Sequence, residues 1–159
     1  MANYTVVEKD SFIVAGLGTE LKSAYTDYAG ISKEKSDFWQ NVSRDGRLEH
    51  LKSIASNNYI FAVNEAVNGK MMFYAGVMTS AAAPEEARLI QFPKGEYLVV
   101  EGTAATSEEL ANNLAGVAFG QALPEAGHLA YVGGPNTTVE LERRGGQIIG
   151  EMWIPVIRK

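Results

Sequence analysis

The sequence predicts an α+β domain in which duplicated β-α-β-β halves form an antiparallel sheet, with two main helices and a pocket between the halves. Three observations predict this class. Two apolar runs flank Asn68-Gly69, a dipeptide typical of β-hairpins. A capping box over 106–109 begins an amphipathic helix. The stretches 6–18 and 89–102 share one pattern: an apolar pair, a polar break, an aromatic residue, an apolar run and a glycine.

The first half, over about 1–80, begins with a strand pattern over 4–18 that is broken at 8–10. We predict a loop over 22–30 and then a helix that has Ser32 as its N-cap and ends or kinks at Gly46. A short helical segment over 47–55 and the hairpin over 59–78 complete this half. Its element order is therefore β-α-β-β.

The second half, over about 86–159, follows a linker over 81–87. Two strand segments over 88–104 are interrupted at 93–95, and the capped helix is expected to stop at Leu123-Pro124. Residues 128–134 are either a short strand or an extended arm, and 138–159 predict a hairpin that turns at Gly145-Gly146. The repeated order favours a duplication within a single domain of 1–159, with chance similarity between strands as the competing explanation.

Composition excludes several functions. A net charge of −5 argues against non-specific nucleic-acid binding, and the absence of cysteine excludes disulfides and thiolate chemistry. The two histidines, His50 and His128, lack ligand spacing, so we expect no metal and no cofactor. The chain has neither a signal-peptide pattern nor an apolar run near the ~18 residues of a membrane span. We therefore expect a cytoplasmic protein that does not contact the membrane.

Glu140 and Glu142 alternate with Val139 and Leu141, so both glutamates project from one face if the strand is regular. A solvated face is the ordinary interpretation. However, the matching strand over 59–63 is apolar on both sides, which indicates a sheet that is covered on both faces. A carboxylate entering such surroundings is a functional candidate, although the two arginines that follow at 143 and 144 could neutralise it.

Aromatic residues supply the other candidates. Phe38 and Trp39 lie on the first helix, where core packing is one interpretation and a pocket wall is the other. Glu151 is either a second pocket carboxylate or a charge at the sheet edge. No Ser-His-Asp arrangement can be assigned, so the catalytic residues, if any, are unknown. The candidate ligand-binding residues are Glu140, Trp39, Phe38, Tyr59, Phe61, Tyr74, Tyr97, Glu142 and Trp153.

Several segments together resemble the GyrI-like, or bacterial transcription-activator effector-binding, family over nearly the whole chain. They are DFW at 37–39, IQFPKGEYLVVEG at 90–102, LPEAGHLAYVGGPNTTVELE at 123–142 and GEMWIPV at 150–156. The resemblance implies a duplicated β-α-β-β fold with a pocket between the halves. It also implies a stand-alone member, because no helix-turn-helix segment accompanies the domain in this sequence.

The resemblance also implies a role for individual residues. In family members that sense drugs, a glutamate on a late strand, flanked by aromatic side chains, meets lipophilic cations. Glu140 matches that position, and Trp39 matches the helix tryptophan of stand-alone relatives. Val139 and Glu142 depart from the pattern, the latter by placing an acid where the family has an aromatic residue. A doubly acidic pocket favours a more strongly cationic ligand, or a neutral one if one glutamate is protonated.

Three functions follow as hypotheses. The first is a binding protein for lipophilic, cationic or planar aromatic small molecules that acts as a sensor or sequesters its ligand, without direct nucleic-acid binding. The second is a hydrolase of strained, cyclopropane-bearing natural products, in which Glu140 works with Glu142 or Glu151. The third is an interaction protein that blocks or escorts a protein partner, for which the sequence offers no concentrated acidic run.

Overall fold

The structure is a computed structural model that describes residues 4–24, 26–80, 87–132 and 135–159. The strands are β1 (Thr5–Lys9), β2 (Phe12–Glu20), β3 (Ile60–Val67), β4 (Lys70–Met78), β5 (Arg88–Phe92), β6 (Gly95–Ala104), β7 (Leu129–Tyr131), β8 (Asn136–Arg144) and β9 (Gln147–Arg158). The helices are α1 (Tyr28–Arg44), α2 (Arg47–Lys52), α3 (Ser107–Val117) and α4 (Leu123–Glu125), with a π-helical turn over Ala118–Ala122.

The strands form one sheet in the order β1-β6-β9-β8-β3-β4-β2-β5, and β7 pairs with the far end of β9. Every pairing within the described residues is antiparallel. The predicted α+β class with an antiparallel sheet is therefore confirmed. The duplication of the two halves stays a prediction, since shared element order alone does not establish it.

The helices pack against one face of the sheet in two groups. Helices α1 and α2 bury apolar side chains against β2, β3 and β4, whereas α3 packs on β6 and β9. The groups meet above the central strands β3 and β8. Ser32 of α1 joins them, because its hydroxyl accepts a hydrogen bond from Asn112 (3.0 Å) and donates one to Glu108 (3.3 Å), both on α3.

The other face of the sheet encloses an aromatic core. Phe12 of β2 stacks on Phe92 of β5 at 4.6 Å between ring centroids, and it meets the edge of Trp153 of β9 at 5.7 Å. Strands β2 and β9 are well separated in the strand order. Side-chain contact between them shows that the sheet curls around this core.

The first helix begins earlier than predicted. Asp27 is its N-cap and accepts a hydrogen bond from the Gly30 backbone N–H at 3.1 Å. The prediction of Ser32 as N-cap is therefore wrong, and so is the assignment of 28–30 to a loop. Aspartate caps a helix as well as serine does, so the local signal is equally strong at both positions. Contacts with α3 occupy Ser32 instead.

The third helix begins as predicted but ends later. Thr106 is the N-cap, and its hydroxyl accepts a hydrogen bond from the Glu109 backbone N–H at 3.1 Å. The predicted stop at Leu123-Pro124 is wrong, because helical backbone continues through the π-helical turn to Glu125. Proline is tolerated in the first turn of a helical segment, and the π-helical turn makes Pro124 part of such a turn.

The predicted hairpins are confirmed. Positive φ angles of 52° at Asn68 and 78° at Gly69 allow the tight turn between β3 and β4. The β8–β9 turn likewise places Gly145 and Gly146 at φ angles of 58° and 80°. Residues 81–86 of the predicted linker lie outside the described residues, as do 133–134 of the predicted strand or arm, which forms β7. Within the described part of the chain, no helix is long and apolar enough to span a membrane.

Candidate ligand-binding site

A β-bulge in β8 determines where its two glutamates point. Glu140 pairs with Gly150 of β9 and Glu142 pairs with the adjacent Ile149, so Leu141 is an extra residue without a partner there. Neighbouring residues of a strand face opposite sides of a sheet. The prediction that Glu140 and Glu142 share one face is therefore wrong, because the strand is not regular.

Glu140 lies on the face that carries the helices. Its partner Gly150 allows α3 to approach closely, since a Cβ at that position would lie 2.8 Å from the Leu110 Cδ2 atom. This close approach brings the first residue of α3, Ser107, beside the Glu140 carboxyl group, and the Ser107 side chain acts on its pKa by hydrogen bonding. The bulge, the glycine and the helix start together position Glu140.

A cavity of about 440 Å³ opens next to Glu140, where β8 extends past the start of β3. It contains acidic, basic, amide and apolar side chains. The lining residues are Lys52, Ala55, Asn57, Asn58, Tyr59, Ile60, Val77, Glu140, Leu141, Glu142 and Arg143. We call it the Glu140 cavity.

The Glu140 carboxylate is largely withdrawn from water. Its side chain is 11% exposed, and burial raises its pKa, against the opposing effects of the Ser107 side chain and the cations of Arg143 and Lys52. The closest atoms of Glu140 and Arg143 are 3.7 Å apart, which is longer than a hydrogen bond, and the Arg143 side chain is 71% exposed. Among the described residues, Glu140 is therefore compensated more by the Ser107 hydrogen bond than by a closely paired cation.

Glu142 has a different environment at the rim of the same cavity. Its side chain is 49% exposed and accepts a hydrogen bond from Arg144 at 2.9 Å. Exposed pairs of this kind contribute little to stability. Glu142 is therefore a solvated acid near the site, and Glu140 is the desolvated one.

Trp39 lines a second opening, a cleft of about 360 Å³ between α1 and α3, together with Ser36, Gln40, Ser43, Thr106, Ser107 and Glu108. The indole is partly buried and meets the ring of Phe73 edge-on, at 6.4 Å between centroids. Ser107 belongs to this Trp39 cleft and also lies beside Glu140. The cleft and the Glu140 cavity are thus neighbours on the helix-bearing face.

The remaining aromatic candidates lie in the core. Phe38 is buried beneath α1 at 9% exposure. Phe61, Tyr74, Tyr97 and Trp153 are buried on the opposite face of the sheet from Glu140. Of the predicted site residues, the structure therefore brings together Glu140, Glu142 and Tyr59, with Trp39 next to them.

Two of those buried rings already have polar partners. The Tyr97 hydroxyl donates to the Pro93 carbonyl at 2.6 Å, and burial raises its pKa to about 12. The Trp153 indole N–H donates to Glu151 at 2.8 Å, and the Lys9 ammonium lies 3.8 Å from the centroid of the same indole. Glu151 is therefore on the aromatic side of the sheet, away from Glu140.

Four polar residues at or beside the site were not predicted from the sequence: Lys52, Asn57, Asn58 and Ser107. An Asn-Asn pair before a strand indicates a turn, but not that the turn closes against β8. Lysine in the last turn of a helix has an ordinary role opposite the helix dipole. No group of three or more His, Asp or Glu side chains in the described ranges could hold a metal ion.

The fold of this chain is a curled antiparallel sheet with helices on one face. The family model for integron-associated effector binding proteins (Cass2) matches residues 5–156. The chain belongs to this family, and the resemblance to the GyrI-like effector-binding proteins is confirmed. Among curated proteins, no sequence matches this chain.

Solved structures share the fold. SAV2435 bound to tetraphenylphosphonium has a TM-score of 0.79 and 16% identity, over 98% of this chain and 94% of its own. A bacterial transcription regulation protein from Staphylococcus aureus has a TM-score of 0.74 and 17% identity, with 98% and 99% coverage. An integron cassette protein from Vibrio cholerae has a TM-score of 0.64 and 11% identity, with 97% and 95% coverage.

Proposed function

We propose that this protein binds lipophilic small molecules that carry a positive charge or a planar aromatic group, with the Glu140 cavity as the binding site. The observation that supports this is the Glu140 carboxylate, which is 11% exposed while Arg143, its ion-pair partner, is 3.7 Å away and solvated. A buried charge is costly unless it is well paired. Ser107 gives Glu140 a hydrogen bond but no charge, and a bound cation would supply a closer positive partner than Arg143 does.

The surroundings of Glu140 suit such a ligand. Tyr59 and Ile60 give the cavity apolar surface, and Trp39 presents an indole in the neighbouring cleft. Aromatic faces attract cations, and a cavity that excludes water strengthens the attraction to a carboxylate. Tetraphenylphosphonium, the ligand in the SAV2435 structure, combines a positive charge with aromatic rings, which supports the same chemistry for this fold.

The function we infer from this site is sensing or sequestering a small molecule in the cytoplasm. With a net charge of −5, the chain is poorly suited to contact nucleic acid directly. If the protein is a sensor, other molecules would therefore recognise its ligand-bound state, and the domain itself would not contact nucleic acid.

Binding is better supported than hydrolysis. The hydrolase hypothesis needs a second carboxylate that works beside Glu140. Glu151 lies on the opposite face and accepts a hydrogen bond from Trp153, while Glu142 is paired with Arg144 at the solvated rim. We therefore propose a binding protein and leave the catalytic role unassigned.

The test compares a cation with a neutral ligand of similar shape. Isothermal titration calorimetry would measure Kd for tetraphenylphosphonium and for neutral triphenylphosphine oxide, in the wild type and in Glu140→Gln. We expect the substitution to weaken the cation about 10- to 100-fold, because two opposite charges several ångströms apart in a site that is partly closed to water attract each other by a few kcal/mol. The neutral ligand should change by less than about twofold.

Glu151→Gln is the matched control, because it removes a partly buried carboxylate from the other face of the sheet. Its Kd for the cation should equal that of the wild type. An equal loss of both ligands in Glu140→Gln would contradict an electrostatic role for Glu140. Loss of the cation in Glu151→Gln instead would place the site on the aromatic face.

A further inference from the structure

The Glu140 cavity carries more basic character than a site for simple cations requires. Its described lining includes Lys52 and Arg143 as well as the two glutamates, and Asn57 and Asn58 add amide groups. A pocket for a lipophilic cation needs apolar walls and one acid, and each further cation repels the ligand. The basic side chains therefore call for an explanation of their own.

The two neighbouring arginines of β8 differ in how they meet an acid. Arg144 holds Glu142 through a hydrogen bond of 2.9 Å, whereas Arg143 approaches Glu140 only to 3.7 Å. The bulge causes this division, since Arg143 pairs with Ile148, whose side chain packs in the core beneath α3. Arg143 thus lies on the helix-bearing face near Glu140, and no hydrogen bond joins the two side chains.

Lys52 has a partner outside the cavity. Its ammonium forms an ion pair with Glu49 of the same helix at 2.9 Å, and it acts on Glu140 only through its field. The Arg143 guanidinium is 71% exposed and meets Glu140 at a distance too long for a hydrogen bond. Arg143 is therefore the basic group best placed to turn toward a ligand.

A ligand with a single positive charge would compete with Arg143 for Glu140. A ligand that also carries a carboxylate would not, because the guanidinium could bind that carboxylate through two parallel hydrogen bonds while Glu140 receives the cation. Arg143 would therefore weaken the binding of the simple cation and strengthen the binding of the ligand that also carries a carboxylate. Asn57 and Asn58 can donate further hydrogen bonds to the acidic group.

We propose that the Glu140 cavity selects amphoteric ligands, in which an organic cation and a carboxylate are joined by a short apolar spacer, and that Arg143 determines this preference. The proposal rests on the proposed function, since Glu140 must first bind the cation. It adds the class of ligand and names a specificity-determining residue.

The experiment uses two probes that differ by one carboxylate: benzyltrimethylammonium and its 4-carboxybenzyl analogue. Their Kd values would be measured by isothermal titration calorimetry for the wild type, Arg143→Gln and Arg144→Gln. Removal of Arg143 should strengthen the plain cation about two- to fivefold, the range expected for an exposed competing ion pair. It should weaken the carboxylated probe about tenfold or more, because a charge-assisted contact is lost.

Arg144→Gln is the control, because it removes the adjacent, equally exposed arginine that belongs to Glu142. Both probes should then bind within about twofold of the wild type. The proposal is overturned if Arg143→Gln shifts both probes in one direction, or if Arg144→Gln has the same effects.

A third ligand separates this proposal from the proposed function. Tetraphenylphosphonium carries no carboxylate, so its dependence on Glu140 tests the proposed function independently of the amphoteric site. If Glu140→Gln weakens it but Arg143→Gln leaves the two matched probes unchanged, only the amphoteric site is overturned. If wild type and Glu140→Gln bind it equally, or neither binds it, the proposed function is overturned as well.

Discussion

Glu140 and Glu151 lie on adjacent strands, on opposite faces of the same sheet, and they differ in what surrounds them. Glu151 accepts the Trp153 indole N–H at 2.8 Å, and the Lys9 ammonium covers that indole at 3.8 Å. This trio of acid, aromatic ring and cation is complete within the chain. Glu140 has a hydrogen bond with the Ser107 side chain, and its ion-pair partner Arg143 lies 3.7 Å away with its own side chain 71% exposed. The two glutamates therefore differ in the cation beside them: Lys9 covers the ring that holds Glu151, whereas the guanidinium beside Glu140 is mostly exposed to solvent.

The largest expected effect concerns the aromatic face. Phe61→Ala should lower the free energy of unfolding by about 3–5 kcal/mol, because it removes a fully buried ring from a packed core. Urea denaturation would measure the loss. Kd for tetraphenylphosphonium, measured well below the melting temperature, should stay within about twofold of the wild type. A small loss of stability together with loss of binding would mean that the ligand enters the aromatic face.

An intermediate effect concerns the two glutamates. Burial raises the pKa of Glu140 above its ordinary value of 4.5, so the folded state binds its proton more tightly than the unfolded state. Wild-type stability should therefore fall as the pH rises through the window between 4.5 and the raised pKa, and stay lower above it. Glu140→Gln lacks this loss. It should be more stable by about 0.5–2 kcal/mol at neutral pH, the gain that a single stabilising substitution commonly gives.

Glu151→Gln sharpens the same comparison, because we expect it to lower the free energy of unfolding where Glu140→Gln raises it. Lys9 would lose the carboxylate that favours its charge, and stability should fall by up to about 1 kcal/mol. Thermal unfolding monitored between pH 4 and neutrality would compare both variants with the wild type. If Glu140→Gln were destabilised at neutral pH, its carboxylate would be a structural group and not an incompletely paired one.

The smallest expected effect concerns Lys9, the cation that lies over the Trp153 ring. Lys9→Met keeps an apolar chain over the indole and removes the ammonium, so unfolding should become easier by about 0.5–1 kcal/mol. Trp153 fluorescence, read in a Trp39→Phe background, would report the altered contact. Ligand binding at the Glu140 cavity should not change. A change there would show that the two faces are coupled through the sheet.

Local chemistry explains which features could be predicted from the sequence. The turn at Asn68-Gly69 and the cap at Thr106 depend on neighbouring residues alone, and both predictions were correct. The start of α1 was predicted wrongly, because Asp27 and Ser32 offer equivalent capping groups and contacts with α3 decide between them. Long-range packing is not encoded in the local pattern.

The candidate site was predictable to a similar degree. Glu140 stood out because the corresponding strand of the first half is apolar on both sides and because Glu140 matches the glutamate position of the family it resembles, and the structure places it at a cavity. That Trp153 and Tyr97 lie on the other face follows from how the sheet curls, which involves strands far apart in the chain. The bulge at Leu141 depends on the register between β8 and β9, and no residue pattern within β8 specifies it.

The bulge at Leu141 determines which charged side chains of β8 face the helices, so the number of residues in the β8–β9 hairpin also affects it. Inserting one residue between Ile149 and Gly150 would give Leu141 a partner. The side chains between the bulge and the turn would then face the opposite sides of the sheet from those they face now. Glu142 would then turn toward Glu140, Arg143 would turn away, and Ile148 would leave the core. The helix-bearing face of β8 would then present two acids in place of one acid and one base, without any side chain being replaced. A one-residue insertion in one strand of a hairpin can thus change which charges face a ligand, as a substitution can.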